Sequence, residues 1–187
     1  MVSLKTPSGA TGWPAFPFDL PGVDGRRHTV GSARGQEGLV VMFICNHCPY
    51  VKAVLDKIVR DTDALRGQGV GSVAIMSNDP NEYPEDSFVN MKAVAIRQRF
   101  GFAYVLDETQ DVARAYGAVC TPDFFGFDRD LRLAYRGRLD ASGRSADPAA
   151  TRELYDAMTA IAHGQPAPAT QHPSIGCSIK WRRADVT

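Results

Sequence analysis

The chain has 187 residues, and its 21 Lys and Arg residues balance its 21 Asp and Glu residues, so the formal net charge is zero. Such a balance provides no basic surface for nucleic acid, and no apolar run approaches the roughly 20 residues of a membrane-spanning helix. We therefore expect neither nucleic acid nor a membrane as a partner. The length suffices for one domain with a full core, and we predict a single domain over residues 1–187.

The use of cysteine bears on the compartment. Four cysteines are too few for a disulfide scaffold at this length. The segment from Met1 to Trp13 has no hydrophobic stretch of the kind found in signal peptides. Together these features predict a cytoplasmic protein whose thiols are mostly reduced.

The N-terminal part of the chain begins with residues 1–12, which are rich in Ser, Thr and Gly and are expected to form a loose N-terminal arm. Phe16, Phe18 and Leu20 then alternate with other residues, and turn signals follow at 21–25. This pattern predicts an N-terminal β-hairpin whose second strand covers 28–30.

A strand–helix–strand unit follows. Residues 39–44 form an uninterrupted apolar run, as expected for a strand covered on both faces. From Pro49 apolar side chains recur at helical spacing until Gly67, and residues 70–76 are interpreted as a second buried strand. The pattern predicts two parallel strands joined by a right-handed helical crossover.

The rest of the chain predicts further helices and strands. Residues 77–86 are interpreted as a surface loop that caps the next helix. Three arginines alternate along the second strand of the last hairpin and are expected to face solvent. The predicted elements are a helix over 86–100, a strand over 103–106, a helix over 109–116, a hairpin of 124–127 with 132–135, a helix from Asp147-Pro148 to 163, and a linker and C-terminal tail over 165–187.

The first predicted strand and its helix are joined by Cys45 and Cys48, which are spaced C-x-x-C. The second cysteine lies at the helix start, where unpaired N–H groups and the helix dipole favour negative charge. A thiolate is such a charge, so the thiol pKa is expected below its free value of about 8.5. Pro49 suits the first helical turn, and His47 either tunes the thiolate or is a plain spacer. The pattern predicts a redox-active dithiol.

Metal and haem sites fit this pattern poorly. One C-x-x-C motif with a distant Cys120 lacks the second pair of ligands that a structural zinc site needs. Attachment of haem requires a histidine after the second cysteine, where this chain has Pro49. We therefore expect no metal and no cofactor.

The order of the predicted elements resembles the thioredoxin fold. The opening from Phe16 to Gly25 is similar to the first strands of redoxins of the alkyl hydroperoxide reductase/thiol-specific antioxidant family. Within that family the chain resembles a peroxiredoxin-like thioredoxin subgroup. The shared motifs are Asn-His-Cys-Pro-Tyr-Val-Lys at 46–52, Ser-Asn-Asp at 77–79, Tyr-Pro-Glu-Asp at 83–86, residues 115–123, and Ser-Ile-Gly-Cys-Ser-Ile-Lys-Trp at 174–181. The resemblance implies an α/β thioredoxin-like fold, with a central mixed sheet flanked by helices.

The resemblance also implies roles for residues. Cys45 matches the attacking cysteine of thioredoxins and Cys48 the resolving one. Pro122 matches a proline that is cis in thioredoxins, and the backbone of Thr121 would hydrogen-bond an extended partner chain. The buried acid of thioredoxins, expected six residues before the first cysteine, is Leu39 here.

A peroxiredoxin-like reading assigns the sulfurs differently. The cysteine that attacks peroxide corresponds to Cys48, while its usual threonine partner is replaced by Cys45 and the assisting arginine falls near 121–122. Cys120 is either a small buried residue or an auxiliary thiol beside the dithiol. Cys177 is either a packed thiol of the tail or a resolving cysteine, if the tail folds back.

Three functions remain open from the sequence. The first is a thiol–disulfide oxidoreductase acting on protein or small-molecule disulfides, recycled by a cellular thiol reductant. The second is a thiol peroxidase that acts on peroxides through Cys48. The third is a non-catalytic redox sensor or binding module. The sequence leaves the oligomeric state open.

Overall fold

The computed structural model describes residues 3–6 and 11–182 of the chain. Its helices, besides a 3₁₀ turn at Pro84–Asp86, are α1 (Val30–Ala33), α2 (Pro49–Arg66), α3 (Phe88–Arg97), α4 (Asp111–Tyr116) and α5 (Glu153–Ala162). Its strands are β1 (Ser3–Lys5), β2 (Asp19–Pro21), β3 (Arg27–Thr29), β4 (Gly38–Phe43), β5 (Val70–Met76), β6 (Ala103–Leu106), β7 (Cys120–Thr121), β8 (Asp123–Phe127), β9 (Leu133–Gly137) and β10 (Ile175–Ser178).

The centre of the fold is a five-stranded mixed sheet with the order β6-β5-β4-β8-β9. β4 and β5 are parallel, as are β5 and β6, whereas β8 runs antiparallel to both β4 and β9. All six residues of β4 are buried, which explains why its sequence is apolar without alternation. The predicted strand–helix–strand unit and the mixed central sheet are therefore confirmed.

Helices cover both faces of this sheet and form two apolar layers. On one face α2 and α5 pack, with side chains such as Ile58, Leu65 and Leu154 fully buried. On the other face α4 packs, and its Tyr116 lies in the same apolar cluster as Phe43 of β4. The N-terminal hairpin is also confirmed, since β2 pairs antiparallel with β3. Within the described ranges, no helix is long and apolar enough to cross a lipid bilayer.

Strands near the two ends of the chain form a second sheet together with β7, contrary to expectation. β10 lies between β1 and β7 and is antiparallel to both. Residues 3–5 are thus a strand rather than part of a loose arm, and the tail is integrated into the fold over 175–178. The three residues of β1 are exposed, so backbone hydrogen bonds form this pairing and the side-chain pattern gave no sign of it. Residues 1–2, 7–10 and 183–187 lie outside the described residues.

The last helix also begins later than predicted. We expected Asp147 to cap it and Pro148 to occupy its first turn, but α5 starts at Glu153. The carbonyl of Asp147 instead accepts hydrogen bonds from Lys57 Nζ and from Ser142 Oγ. These tertiary contacts hold residues 147–148 in a loop, and the local capping signal is overridden.

Candidate redox site

The C-x-x-C segment connects β4 to α2, as the sequence predicts. Cys48 is the N-cap residue of α2 and Pro49 occupies the first helical position. Both sulfurs are covered, because Cys45 is 2% exposed and Cys48 is 0% exposed. Four thiols are present, and Cys120 and Cys177 are buried as well.

Thr121 is the residue that links the two sulfurs to the rest of the fold. The Thr121–Pro122 peptide bond is cis, which confirms the prediction for Pro122. The Cys48 thiol donates a hydrogen bond to the Thr121 carbonyl over 3.1 Å. Cys45 Sγ lies 3.3 Å from Thr121 Oγ1. The Thr121–Pro122 segment therefore lies against the dithiol, as predicted.

The backbone of Thr121 has a different partner from the one expected. We predicted that it would be open to an extended chain of another molecule. Instead β10 pairs with β7, and Cys177 lies directly opposite Thr121 in the register. The C-terminal strand of the protein itself occupies the place of the expected partner strand.

The two sulfurs of the motif differ in acidity. The lower pKa belongs to Cys48, as its place at the helix start predicts, whereas the resemblance to thioredoxins gives the attacking role to Cys45. A hydrogen bond from Cys45 lowers the pKa of Cys48 to about 5, with further help from Cys177 and from the Val51 backbone in the first helical turn, against the effect of burial. The pKa of Cys45 is raised well above its ordinary value by sharing this hydrogen bond, by burial and by the charge of Asp86. The hydrogen bond that the Cys48 thiol donates to Thr121 opposes ionisation, since a thiolate cannot make it. The thiolate nevertheless belongs on Cys48, because the other contacts favour charge there and disfavour it on Cys45.

Titration tests this assignment. As the pH falls from 8 to 4, we expect the reduced protein to lose the ultraviolet absorbance of one thiolate, with a midpoint near pH 5. The transition should be absent from a Cys48→Ser variant. If Cys48→Ser retains it while Cys45→Ser loses it, the thiolate belongs to Cys45.

Asp86 organises the backbone of the motif from the loop after β5. It is fully buried, and its carboxylate accepts hydrogen bonds from the N–H groups of Asn46 and His47 at 2.8 and 3.3 Å. It also accepts bonds from His47 Nδ1 at 2.6 Å and from Asn78 Nδ2 at 2.7 Å. Burial would raise the pKa of Asp86, but the hydrogen bonds from His47 and Asn78 bring it below its ordinary value. The loop over 77–86 is exposed in its middle, as predicted, but its two ends, residues 77–79 and Asp86, are buried and support the site.

His47 is not an exposed spacer. Its side chain is 10% exposed, and Nδ1 is held by Asp86. Its ring stacks on Tyr83 with centroids 5.0 Å apart. The other ring nitrogen, Nε2, is buried and has no hydrogen-bond partner among the residues that the structure describes.

We expect the substitution Asp86→Asn to destabilise the protein by about 3 kcal/mol at pH 7, because it removes a buried carboxylate that accepts hydrogen bonds from four N–H donors. The folded-state pKa of Asp86 is depressed, so its stabilisation is present above the unfolded-state value of about 3.9 and is lost as the pH falls through the folded-state value. Urea unfolding at pH 7 and pH 3 measures both effects. Asp111→Asn, at a side chain that is 78% exposed, is the control and should change stability by less than about 0.5 kcal/mol. An equal, small effect of both substitutions would show that Asp86 does not support the site.

The same residues form the one group in the described part of the chain with the composition of a metal site. Ligand atoms of Cys45, His47 and Asp86 all lie within 4.8 Å of one another. The spacing of the cysteines alone does not indicate this group, because Asp86 is distant from them in the sequence. The carboxylate is already engaged by four N–H donors, so a bound ion would have to displace some of them.

The two remaining cysteines lie on either side of Thr121. Cys120 Sγ is 3.8 Å from the Pro122 carbonyl, and burial raises the pKa of this thiol, which makes it a poor nucleophile. Cys177 is buried in the same core cluster as Cys45 and Cys48, and its interaction with Cys48 lowers the pKa of Cys48 and raises its own. The structure thus gathers Cys45, Cys48 and Cys177 and leaves Cys120 as a packed neighbour.

Comparison with known proteins defines the family. The AhpC/TSA family model matches residues 11–136. The chain belongs to the AhpC/TSA family. An AhpC/TSA protein of this kind acts through thiol-based redox chemistry, as the resemblance of the sequence implies. No curated protein matches the sequence.

Solved structures support the same fold for this AhpC/TSA chain. It is similar to an uncharacterized conserved protein from Geobacillus kaustophilus, with 45% identity, a TM-score of 0.94 and 98% of each chain covered. A thiol:disulfide interchange protein from Chlorobium tepidum matches at 21% identity and TM-score 0.56, over 69% of this chain and 87% of that one. Peroxidoxin BcpB from Mycobacterium tuberculosis matches at 14% identity and TM-score 0.60, over 82% and 96%. The predicted α/β thioredoxin-like fold is confirmed.

Proposed function

We propose that this AhpC/TSA protein is a thiol–disulfide oxidoreductase that uses the Cys45–Cys48 dithiol. The observation that carries the proposal is the pair of C-x-x-C thiols at the start of α2, both in contact with Thr121 beside the cis Pro122. A dithiol of this kind exchanges with disulfides because the thiolate is the nucleophile and its neighbour resolves the product.

The acidity of the sulfurs leads us to reverse the roles implied by the resemblance. The Cys48 thiolate attacks one sulfur of a substrate disulfide and expels the other sulfur as a thiolate, which leaves a mixed disulfide on Cys48. Cys45 then loses its proton and attacks Cys48 Sγ, which releases the second substrate thiol and forms the Cys45–Cys48 disulfide. A cellular thiol reductant returns both cysteines to thiols.

The proton of Cys45 needs an acceptor, and the acid of thioredoxins is absent because Leu39 is a fully buried apolar residue of β4. A carboxylate oxygen of Asp86 and a ring nitrogen of His47 lie within 4.8 Å of Cys45 Sγ. Asp86 is hydrogen-bonded to His47 Nδ1, so the two side chains form one buried pair beside this sulfur. We assign this buried pair the role of proton acceptor.

Turnover of an insulin disulfide tests the proposal. With dithiothreitol as the electron source, the reduced protein should increase the rate of insulin reduction above that of dithiothreitol alone, over many turnovers. Cys120→Ser is the matched control, since it removes a buried thiol that takes no part in the exchange. A rate equal to that of dithiothreitol alone, with reversible oxidation of the protein itself, would instead indicate a redox sensor.

A peroxidase is the second candidate, because the acidic Cys48 at a helix start is also suited to attack peroxide. The position expected for the assisting threonine is Cys45, which supplies a thiol instead of a hydroxyl. Stopped-flow oxidation by hydrogen peroxide distinguishes the two candidates. Oxidation no faster than that of free cysteine would exclude the peroxidase.

A further inference from the structure

The C-terminal strand β10 places a third thiol at the dithiol. Cys177 is opposite Thr121 in the β10–β7 pairing, and Thr121 accepts the hydrogen bond of Cys48 through its carbonyl. Cys45, Cys48 and Cys177 are all buried in the same core cluster, and the interaction with Cys177 lowers the pKa of Cys48. The structure therefore gathers three thiols at the start of α2.

β10 packs closely against β7. Gly176 lies against β7 so tightly that an added Cβ would be 2.0 Å from the Thr121 carbonyl oxygen. β10 also packs against α2, whose first turn carries Cys48. Beyond β10, the N–H of Ile179 donates to the carbonyl of Val119 over 3.0 Å. Backbone pairing on both sides of the cysteine thus holds its sulfur beside Cys48.

We propose that Cys177 is a third redox-active thiol, which resolves Cys48 in place of Cys45 and exchanges with the Cys45–Cys48 disulfide. In this exchange the Cys177 sulfur, after losing its proton, attacks Cys48 Sγ. The Cys48–Cys177 bond forms, the Cys45–Cys48 bond breaks, and Cys45 leaves as a thiolate that takes up the proton. No external oxidant or reductant is consumed. Cys177 of β10 thereby takes the part of a substrate thiol from within the same chain. β10 occupies the position beside Thr121 where an extended chain of another protein was expected.

The state of Cys48 regulates this exchange. Burial raises the pKa of Cys177, and the hydrogen bond and charge of a Cys48 thiolate raise it further. In the reduced protein Cys177 is therefore a thiol and does not react. When Cys48 is oxidised its negative charge is gone, and two of the three causes that suppress ionisation of Cys177 disappear.

Mapping of disulfides in a Cys45→Ser variant tests the proposal, which rests on the reactivity assigned to Cys48. The full chain is oxidised with one equivalent of diamide, a two-electron thiol oxidant, then denatured, alkylated and digested for mass spectrometry. We expect a Cys48–Cys177 disulfide within one chain, with Cys120 as the one alkylated thiol. A Cys45→Ser/Cys120→Ser double variant should give the same link, and Cys48→Ser should give none.

Several outcomes separate this proposal from the function proposed above. If Cys45→Ser forms only disulfides between chains, or Cys177 stays fully alkylated, the third thiol is overturned even when insulin is still turned over. If the Cys48–Cys177 link forms but the wild type does not turn over insulin, only the oxidoreductase is overturned. Should Cys45→Ser not fold, oxidised wild type is mapped instead, and both Cys45–Cys48 and Cys48–Cys177 links are expected. A link to Cys45 alone would refute the exchange.

Discussion

Replacement of Cys48 by serine is expected to lower the rate of disulfide reduction by on the order of 10³-fold or more, because it removes the nucleophile itself. Cys48 carries the charge of the dithiol, because a hydrogen bond from Cys45 lowers its pKa to about 5. A serine hydroxyl at the same position is not ionised near neutral pH and cannot form the mixed disulfide. The insulin assay measures the loss, and Cys120→Ser again provides the control.

Replacement of Cys45 by serine should have a different effect. The attack by Cys48 remains, so a substrate becomes covalently attached, but the normal release step is missing. Cys177 can also release the substrate half that is attached to Cys48. The adduct should therefore accumulate most in the Cys45→Ser/Cys177→Ser double variant. Intact-protein mass spectrometry after incubation with a small-molecule disulfide measures the attached half. If the adduct forms on Cys45 in a Cys48→Ser variant instead, the order implied by the resemblance to thioredoxins is the correct one.

The sequence was most informative where structure depends on local pattern. The buried run at 70–76 matches β5 residue for residue, and the helical stripe after Pro49 marks α2 because apolar spacing alone determines which face it buries. The cis Pro122 was predicted through the resemblance of the family, since a proline in isolation gives no such indication.

The parts of the site that the sequence missed depend on contacts between distant segments. Asp86 lies 40 residues beyond Asn46, whose N–H it binds, and an acidic residue in a polar loop usually faces water. Its burial is tolerated only because donors of the C-x-x-C segment surround it. The acidity of Cys48 depends in part on Cys177, which β10 brings to it from the far end of the chain. Neither contact can be predicted from a short stretch of sequence, because the partners are distant along the chain. The motifs shared with the family, at 77–79, 83–86 and 174–181, nevertheless include the three segments that make these contacts.

Asp123 is expected to affect the stability of the protein rather than its catalytic turnover. It is fully buried directly after Pro122, and its carboxylate lies 3.8 Å from Arg136, one of the arginines expected to face solvent. The side chain of that arginine is only 10% exposed, which corrects the expectation. Burial raises the pKa of Asp123 to about 8, although the positive charge of Arg136 opposes the rise. At neutral pH the group is therefore mostly a neutral carboxylic acid.

A raised acid pKa makes the protein less stable as the pH rises. Between the unfolded-state value of about 3.9 and the folded-state value of about 8, the folded chain retains a proton that the unfolded chain has released. Over this window Asp123 should reduce the free energy of unfolding by up to about 1.4 kcal/mol for each pH unit. Asn cannot ionise, so Asp123→Asn should remove this contribution and gain stability relative to the wild type from pH 5 to pH 8.

Urea unfolding of both proteins across this range measures the difference. Asp140→Asn is the contrasting control, because Asp140 is buried but pairs with Lys57 Nζ at 2.7 Å. Burial would raise the pKa of Asp140, yet the bond from Lys57 brings it below its ordinary value. Its replacement should therefore destabilise the protein at pH 7, with the loss fading as the pH falls below about 3.9. A difference between Asp123→Asn and wild type that stays constant from pH 5 to pH 8 would mean that Asp123 is ionised throughout. The buried pair with Arg136 would then be a salt bridge, and the positive charge would outweigh the cost of burying the carboxylate.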